Sequence, residues 1–335
     1  MHILVARFSA MGDVAMTVPV IHSLAAHYPD VRITVLTRRH FTPLFQWMPS
    51  NVQCVGINLN DYKGVFGLER LYRSLDPGQF DAFADIHDVL RTKYLRMRFR
   101  IDGKKVVAID KGRAEKKALI GNGMTVPALK PMTERYREVF RGLGLDFPLT
   151  FTDMKPYLKV SDDNSGADSA DSRLIGIAPF AAHEGKIYPL DRMRQVADML
   201  ADRGYRVYLF GAGEKESEIL ESWQREGVES VAGKLGGLTG ELLLMSRLSL
   251  MISMDSSNMH MAAIMGTPTL SVWGATHPKA GFLAWRQSLD SAVQLDIPCR
   301  PCSVYGNKPC QFGDFRCLNG ITPEMIVANT ERLLS

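Results

Sequence analysis

Four short segments hold the residue types that acid–base chemistry and anion binding require. The first is Ser9-Ala10-Met11-Gly12-Asp13, where Gly12 permits a tight turn and Asp13 stands at the start of a helical pattern. A carboxylate there has two readings. It can cap the helix by accepting from free backbone N–H groups, worth about 1 kcal/mol, or it can act as a general base on a substrate hydroxyl. Position alone favours the cap. In the second segment, Pro179 to Lys186, the small residues Ala181 and Ala182 let backbone N–H groups approach an anion, and Lys186 could set a point charge on a phosphate. Taken alone, that stretch reads equally well as a surface loop with a solvated lysine.

The third segment, Gly211-Ala212-Gly213-Glu214-Lys215-Glu216, begins like a dinucleotide fingerprint but has Glu216 in place of the last glycine. Glu214 or Glu216 could bind ribose hydroxyls, or simply favour a helix dipole. The fourth, Asp255-Ser256-Ser257-Asn258-Met259-His260, is the most informative. A buried strand delivers Asp255 and Ser256 to a turn, and the free N–H groups of Ser257, Asn258 and Met259 form an anion site. His260 follows one turn in, on the face that Asp255 or Ser256 can reach.

Two further features concern metal and charge. Four of the five cysteines crowd into Cys299, Cys302, Cys310 and Cys317. Four thiolates can enclose a structural zinc, although only the first two have the usual close spacing, so free thiols or a redox pair stay open. Between Ile86 and Lys117 there are eleven lysines and arginines against four acids. Such an excess, concentrated in residues 91–117, suggests a polyanionic partner: a phosphorylated glycolipid or an anionic membrane surface. No motif for reading RNA or DNA accompanies it, so nucleic acid is not an expected partner.

These segments need elements to position them. Ile3–Ala6 reads as a strand, a helix follows from Val14 to Tyr28, and Ile33–Leu36 is a second strand. That is a βαβ unit, which predicts a parallel sheet. Further strands are expected at Val52–Ile57, Phe80–Ile86 and Lys105–Ile109. Residues 161–172 lack periodicity and large apolar side chains, and read as a linker. Alternation then resumes with strands at Leu174–Ala178, Arg206–Phe210, Ser230–Ala232, Leu250–Met254 and Thr269–Trp273. The intervening helices are expected at Leu190–Arg203, Lys215–Arg225, Leu238–Ser246 and Ser257–Met265. The pattern predicts an α/β protein of two doubly wound domains, 1–160 and 173–322, facing a cleft. A last helix within 323–335 could pack on either, the first included.

Length and composition agree. The chain has 335 residues, a formal charge of +4, 46% hydrophobic and 23% charged residues. That suits two soluble domains and excludes wholesale disorder. No apolar run approaches the roughly 18 residues of a membrane span, and the start of the chain lacks a secretory pattern, so a cytoplasmic protein is expected.

The opening Ile3-Leu4-Val5 with Met11-Gly12-Asp13-Val14 and Pro19, then Val231-Ala232-Gly233, then Asp255-Ser256-Ser257-Asn258-Met259-His260 with Gly266-Thr267-Pro268 and Trp273-Gly274, together resemble the lipopolysaccharide heptosyltransferases, glycosyltransferase family 9. The resemblance implies the GT-B fold: two Rossmann-like domains, the first binding acceptor and the second nucleotide sugar. It implies inverting transfer of heptose from ADP-heptose to a lipid-linked, phosphorylated inner-core acceptor at the inner face of the cytoplasmic membrane. Asp13 would be the base. Lys186, with the helix start at Ser256 and Ser257, would hold the diphosphate beside Asp255, and Glu214 or Glu216 would contact ribose. His260 would position the donor or its loop. The loop often carries hydroxyl residues where this chain has Ala181 and Ala182, leaving backbone N–H groups to bind. No Asp-x-Asp triplet occurs, so donor binding without a bridging metal is expected, and no cofactor is obligatory.

Other functions compete. The same fold could use a UDP or GDP sugar, or belong to a non-catalytic carbohydrate- or nucleotide-binding relative. A nicotinamide-dependent oxidoreductase is disfavoured because neither half has the three-glycine turn.

Overall fold

The computed structural model describes residues 1–122, 127–158 and 173–335; the expected linker at 161–172 lies outside them. The described residues divide into two compact units, 1–111 with 132–152, and 112–131 with 153–335.

In the first unit, β1 (His2–Ala6), β2 (Arg32–Arg38), β3 (Val52–Ile57), β4 (Ala82–Asp85) and β5 (Lys105–Ala108) form a parallel sheet in the order β3-β2-β1-β4-β5. In register, Ile3 lies between Ile33 and Ala82, and Ala6 between Leu36 and Asp85. One helix was expected between β1 and β2, but two form: α1 (Met11–Ala15) and α2 (Val18–His27). Pro19 lacks the N–H that would continue the ladder, so the chain breaks at Thr17 and restarts with proline in the first turn. Helices α3 (Gly64–Ser74), α4 (Leu90–Ile101) and α6 (Met132–Gly142) complete the unit, while α5 (Arg113–Asn122) belongs to the other. Leu4, Phe8, Leu36, Leu71, Phe83, Leu95 and Phe99 share the core. Burying each such side chain contributes about 1.5–3 kcal/mol.

The second unit repeats the plan. Its strands are β6 (Leu174–Ala178), β7 (Arg206–Leu209), β8 (Val228–Ser230), β9 (Leu250–Met254), β10 (Thr269–Val272) and β11 (Ala292–Val293), all parallel, in the order β11-β10-β9-β6-β7-β8. Its helices are α7 (Leu190–Asp202), α8 (Glu214–Glu221), α9 (Leu238–Met245), α10 (Ser257–Ile264), α11 (Arg316–Asn319) and α12 (Pro323–Leu334). The terminal α12 packs within this unit, against α7, with Ile326 and Val327 in the core beside Val196 and Leu200. No helix among the described residues is long and apolar enough to cross a membrane.

Both sheets reverse strand order beside their first strand: between β1 and β4, and between β6 and β9. Loops leaving two such neighbours diverge and open a crevice at the carboxyl end of the sheet, where ligands bind in open α/β folds.

Candidate functional site

At the first reversal point, Asp13 is the third residue of α1, and Ala10 holds the cap position. The Asp13 Oδ2 still accepts from the Ala10 N–H at 3.2 Å, so part of the capping role is real. The same oxygen lies 2.6 Å from Arg7 Nη2. Arg7 comes directly off β1 and is fully engaged, with Nε donating to the Ser9 carbonyl and Nη1 to the Ile86 carbonyl, each at 2.8 Å. Its guanidinium sits 5.7 Å from the centroid of the Tyr136 ring, and the Tyr136 hydroxyl donates to the Asp13 carbonyl at 3.4 Å. Arg7 is 7% exposed and Asp13 24%, so a buried cation holds a carboxylate that still meets solvent.

The neighbouring strand adds a second layer. The wholly buried Asp85 accepts from the N–H groups of His87 at 3.0 Å and Asp88 at 2.8 Å, and its other oxygen faces Arg96 at 3.4 Å. That turn fixes the His87 ring. Its Nδ1 accepts from the Phe8 N–H at 3.4 Å, leaving Nε2 to donate to Ser9 Oγ at 3.2 Å. Burial, reinforced by Arg7 and Lys111, pushes His87 down to about 3, so the ring is neutral and acts as a brace for the Asp13 loop.

At the second reversal point, β6 leads to Lys186 and β9 to Asp255. Lys186 Nζ lies 3.0 Å from Asp255 Oδ2, with exposures of 15% and 8%. The Thr276 hydroxyl donates to the same oxygen at 2.8 Å. The lysine stem is closely framed: a Cβ on Gly306, whose φ is +75°, would lie 2.4 Å from Lys186 Cγ. Ser256 stands at the cap position of α10 with its hydroxyl turned to that of Ser253, 3.1 Å away, and not to the helix N–H groups, and Ser257 is the first helical residue. Both precede free N–H groups at the helix start. His260 is buried one turn further on. Ala181 is half-buried and Ala182 exposed in the loop after β6. Of the two glutamates opening α8, Glu216 turns back so that Oε2 accepts from the Ala212 N–H at 2.8 Å, whereas Glu214 projects into solvent.

A structural zinc was one of the readings open for Cys299, Cys302, Cys310 and Cys317, beside free thiols or a redox pair. Among the described residues no group of three or more His, Cys, Asp or Glu side chains is placed to hold a metal ion, and all four thiols are free. Arg300 lies beside three of these thiols. Buried among these cysteines, it spends its guanidinium on the carbonyls of Gly274 (2.6 Å), Leu295 (2.5 Å) and Thr276 (2.8 Å). The Cys302 N–H also donates to the Ala275 carbonyl at 2.9 Å. The loop is therefore a brace beneath Thr276 and Lys186. Burial pushes Cys317 up to about 11 and raises Cys302 as well.

The sequence singled out Asp13, Lys186 and Asp255, which the structure places in ion pairs at the two reversal points; it did not single out their neighbours Arg7, His87, Asp85, Thr276 and Arg300. A usable signal existed, since Arg7 directly follows β1 and His87 comes two residues after β4, the two strands at the reversal point.

Residues 68–311 match the family model of glycosyltransferase family 9 (heptosyltransferase). The chain is 23% identical to lipooligosaccharide heptosyltransferase 2 of Campylobacter jejuni, over 97% of this chain and 95% of that protein. It is 26% identical to lipopolysaccharide heptosyltransferase 3 of Escherichia coli K12, over 96% and 95%. The solved structure of the E. coli heptosyltransferase WaaC with ADP superposes with a TM-score of 0.72 at 18% identity, covering 99% of this chain and 100% of that one. With two parallel-sheet units of the GT-B class and a family match over most of its length, the chain belongs to glycosyltransferase family 9, the heptosyltransferases.

Proposed function

We propose that the protein is an inverting heptosyltransferase that moves heptose from ADP-heptose to a lipid-linked inner-core acceptor of lipopolysaccharide. The observation that carries this reading is the Arg7–Asp13 pair: a carboxylate fixed by a buried cation, yet open to solvent, at the reversal point of a family 9 chain. The acceptor binds the first unit. Asp13 removes the proton of its hydroxyl as that oxygen attacks the anomeric carbon, and general-base help of this kind is worth about 10²–10⁴-fold. The bond from the anomeric carbon to the diphosphate oxygen breaks, and its electron pair leaves with ADP. A single displacement inverts the anomeric centre, and Asp13 returns the proton to water.

The second unit takes the nucleotide sugar. Lys186 and the α10 start at Ser256 and Ser257 meet the charge that develops on the leaving diphosphate. Asp255 and Thr276 hold that lysine in place. The backbone at Ala181 and Ala182 lines the phosphate loop. Glu216, anchored by Ala212, takes the ribose in preference to Glu214, and His260 supports the loop. With lysine and helix carrying the diphosphate charge, donor binding does not depend on a metal. The lipid-linked acceptor places the reaction at the cytoplasmic face of the membrane, with exposed cations of the basic run 91–117 turned toward its anionic surface.

Calorimetric titration of the metal-free protein with ADP, UDP, GDP and NAD tests the donor. Selective ADP binding is expected. A preference for UDP or GDP overturns the donor, a preference for NAD overturns transfer itself, and no binding points to a non-catalytic relative.

A further inference from the structure

The basic run does not face outward as a whole. Lys116 is buried, 4.4 Å from the centroid of Phe282, and lies in the second unit. Arg96 turns inward to Asp85 and Asp88, and Arg98 pairs with Glu69 of α3 at 2.6 Å. What α4 leaves outside is a different pattern. Leu90 is 82% exposed, Ile101 69% and Met97 47%. At the spacing i, i+7, i+11 these three lie within an arc of about 40° on the helix surface, a ridge on the order of 17 Å long. Lys93, 3.8 Å from Asp88, and Arg100 flank it on one side and Arg91 on the other, and α4 itself contains no acidic residue. Among the described residues, Arg91 and Arg100 form no ion pair.

The start of α3 extends this surface. Glu69 on α3 also accepts from the Tyr94 hydroxyl at 2.8 Å, and Tyr72 packs on Phe99 at 5.1 Å, so the two helices lie side by side. Each returns from the carboxyl end of a parallel strand, so their amino-terminal ends share one edge of the sheet. There Phe66, 93% exposed, and Val65, 64% exposed, stand beside the exposed Lys63. Scattered apolar residues on a surface mean little, but five large ones on two adjoining helices form a patch.

We propose that the outer face of α4, with Val65 and Phe66 of α3, is a docking surface for an anionic lipid bilayer. The apolar ridge enters the headgroup boundary, and Arg91, Lys93 and Arg100 extend to lipid phosphates, as interfacial helices do. A protein partner of ordinary surface would not call for an apolar ridge with cations along both flanks and no acid on the helix itself. The surface also has the right address. The ridge begins three residues after His87, whose ring holds Ser9 in the Asp13 loop. Docking therefore brings that loop to the bilayer surface, where a lipid-linked acceptor would be presented; this part of the inference rests on the proposed function.

The test is sedimentation with vesicles of 70:30 phosphatidylethanolamine and phosphatidylglycerol (about 30% anionic lipid, an order-of-magnitude match to a charged leaflet), against neutral phosphatidylcholine vesicles. The wild type should bind the anionic vesicles. The triple variant Leu90→Gln/Met97→Gln/Ile101→Gln should bind them about tenfold or more weakly, and Arg91→Gln/Arg100→Gln should lose the preference for anionic over neutral lipid. Equal binding by wild type and triple variant overturns the proposal. So does a wild-type dimer in size-exclusion chromatography that the triple variant converts to monomer. On a delipidated, soluble oligosaccharide acceptor the triple variant should match the wild type. A wild type that binds vesicles but is inactive on that acceptor overturns the transferase reading and leaves the surface standing.

Discussion

Each unit places an ion pair with one solvent-facing member at the point where its strand order reverses, and these two pairs are mirror images in charge. In the first unit a buried cation, Arg7, holds a more exposed anion, Asp13; in the second a buried anion, Asp255, holds a more exposed cation, Lys186. The buried member has no freedom to reorient, because Arg7 is tied to two carbonyls and Asp255 to Thr276. The exposed member is thus held in direction while its charge stays available. The difference in sign suits the proposed chemistry: an anion where a proton must be taken, a cation where a leaving diphosphate gathers charge.

The sharpest way to break this comparison is Asp13→Asn. The amide keeps an acceptor for Arg7 but cannot take a proton, so turnover should fall by about 10²–10⁴-fold, with ADP affinity unchanged. Parallel loss of ADP binding and turnover, read by calorimetry and a transfer assay, would reduce Asp13 to a structural cap.

The second pair calls for a different design, because its buried member is the carboxylate. Lys186→Met should weaken ADP binding and turnover together. It should also cost about 3 kcal/mol of stability, since it leaves Asp255 buried without a cation. Lys186→Met/Asp255→Asn should recover most of that stability in a denaturant melt without recovering ADP affinity. If the double variant binds ADP as the wild type does, Lys186 is a structural partner of Asp255 and no more.

The sequence carries the strands better than their consequences. Val52–Ile57, Leu174–Ala178 and Leu250–Met254 form at the expected residues because short apolar runs in parallel sheets are bounded by sharp changes in polarity. The edge strand β8 falls two residues earlier than expected, at Val228–Ser230, where three residues give little pattern. Helix α4 escaped notice because its apolar residues point both inward, at Leu95 and Phe99, and outward, at Leu90, Met97 and Ile101, which erases the one-sided period. In the site, Asp13, Lys186 and Asp255 follow strands whose ends were read. The braces Arg7, His87 and Asp85 depend on which strands become neighbours, and local pattern does not encode that.

The smallest effect compares the buried histidines of the two units. Burial is the leading cause that pushes His87 down to about 3 in the first unit and His277 down to about 4 in the second, with nearby cations adding to it. Unfolded, each would titrate at about 6.5. Between those values the unfolded chain binds protons that the folded chain refuses, so stability is complete above about pH 6.5 and is lost as pH falls toward the folded values. Each ring contributes a slope of up to about 1.4 kcal/mol per pH unit in that window. Denaturant melts from pH 7 to pH 4.5 should show this decline, and His87→Gln and His277→Gln should each make it shallower. The two variants should do so alike, because the cause is the same in both units. A change confined to His87→Gln would mean that His277 is protonated in the folded protein, and that Arg300 and Lys279 beside it do not keep the ring neutral.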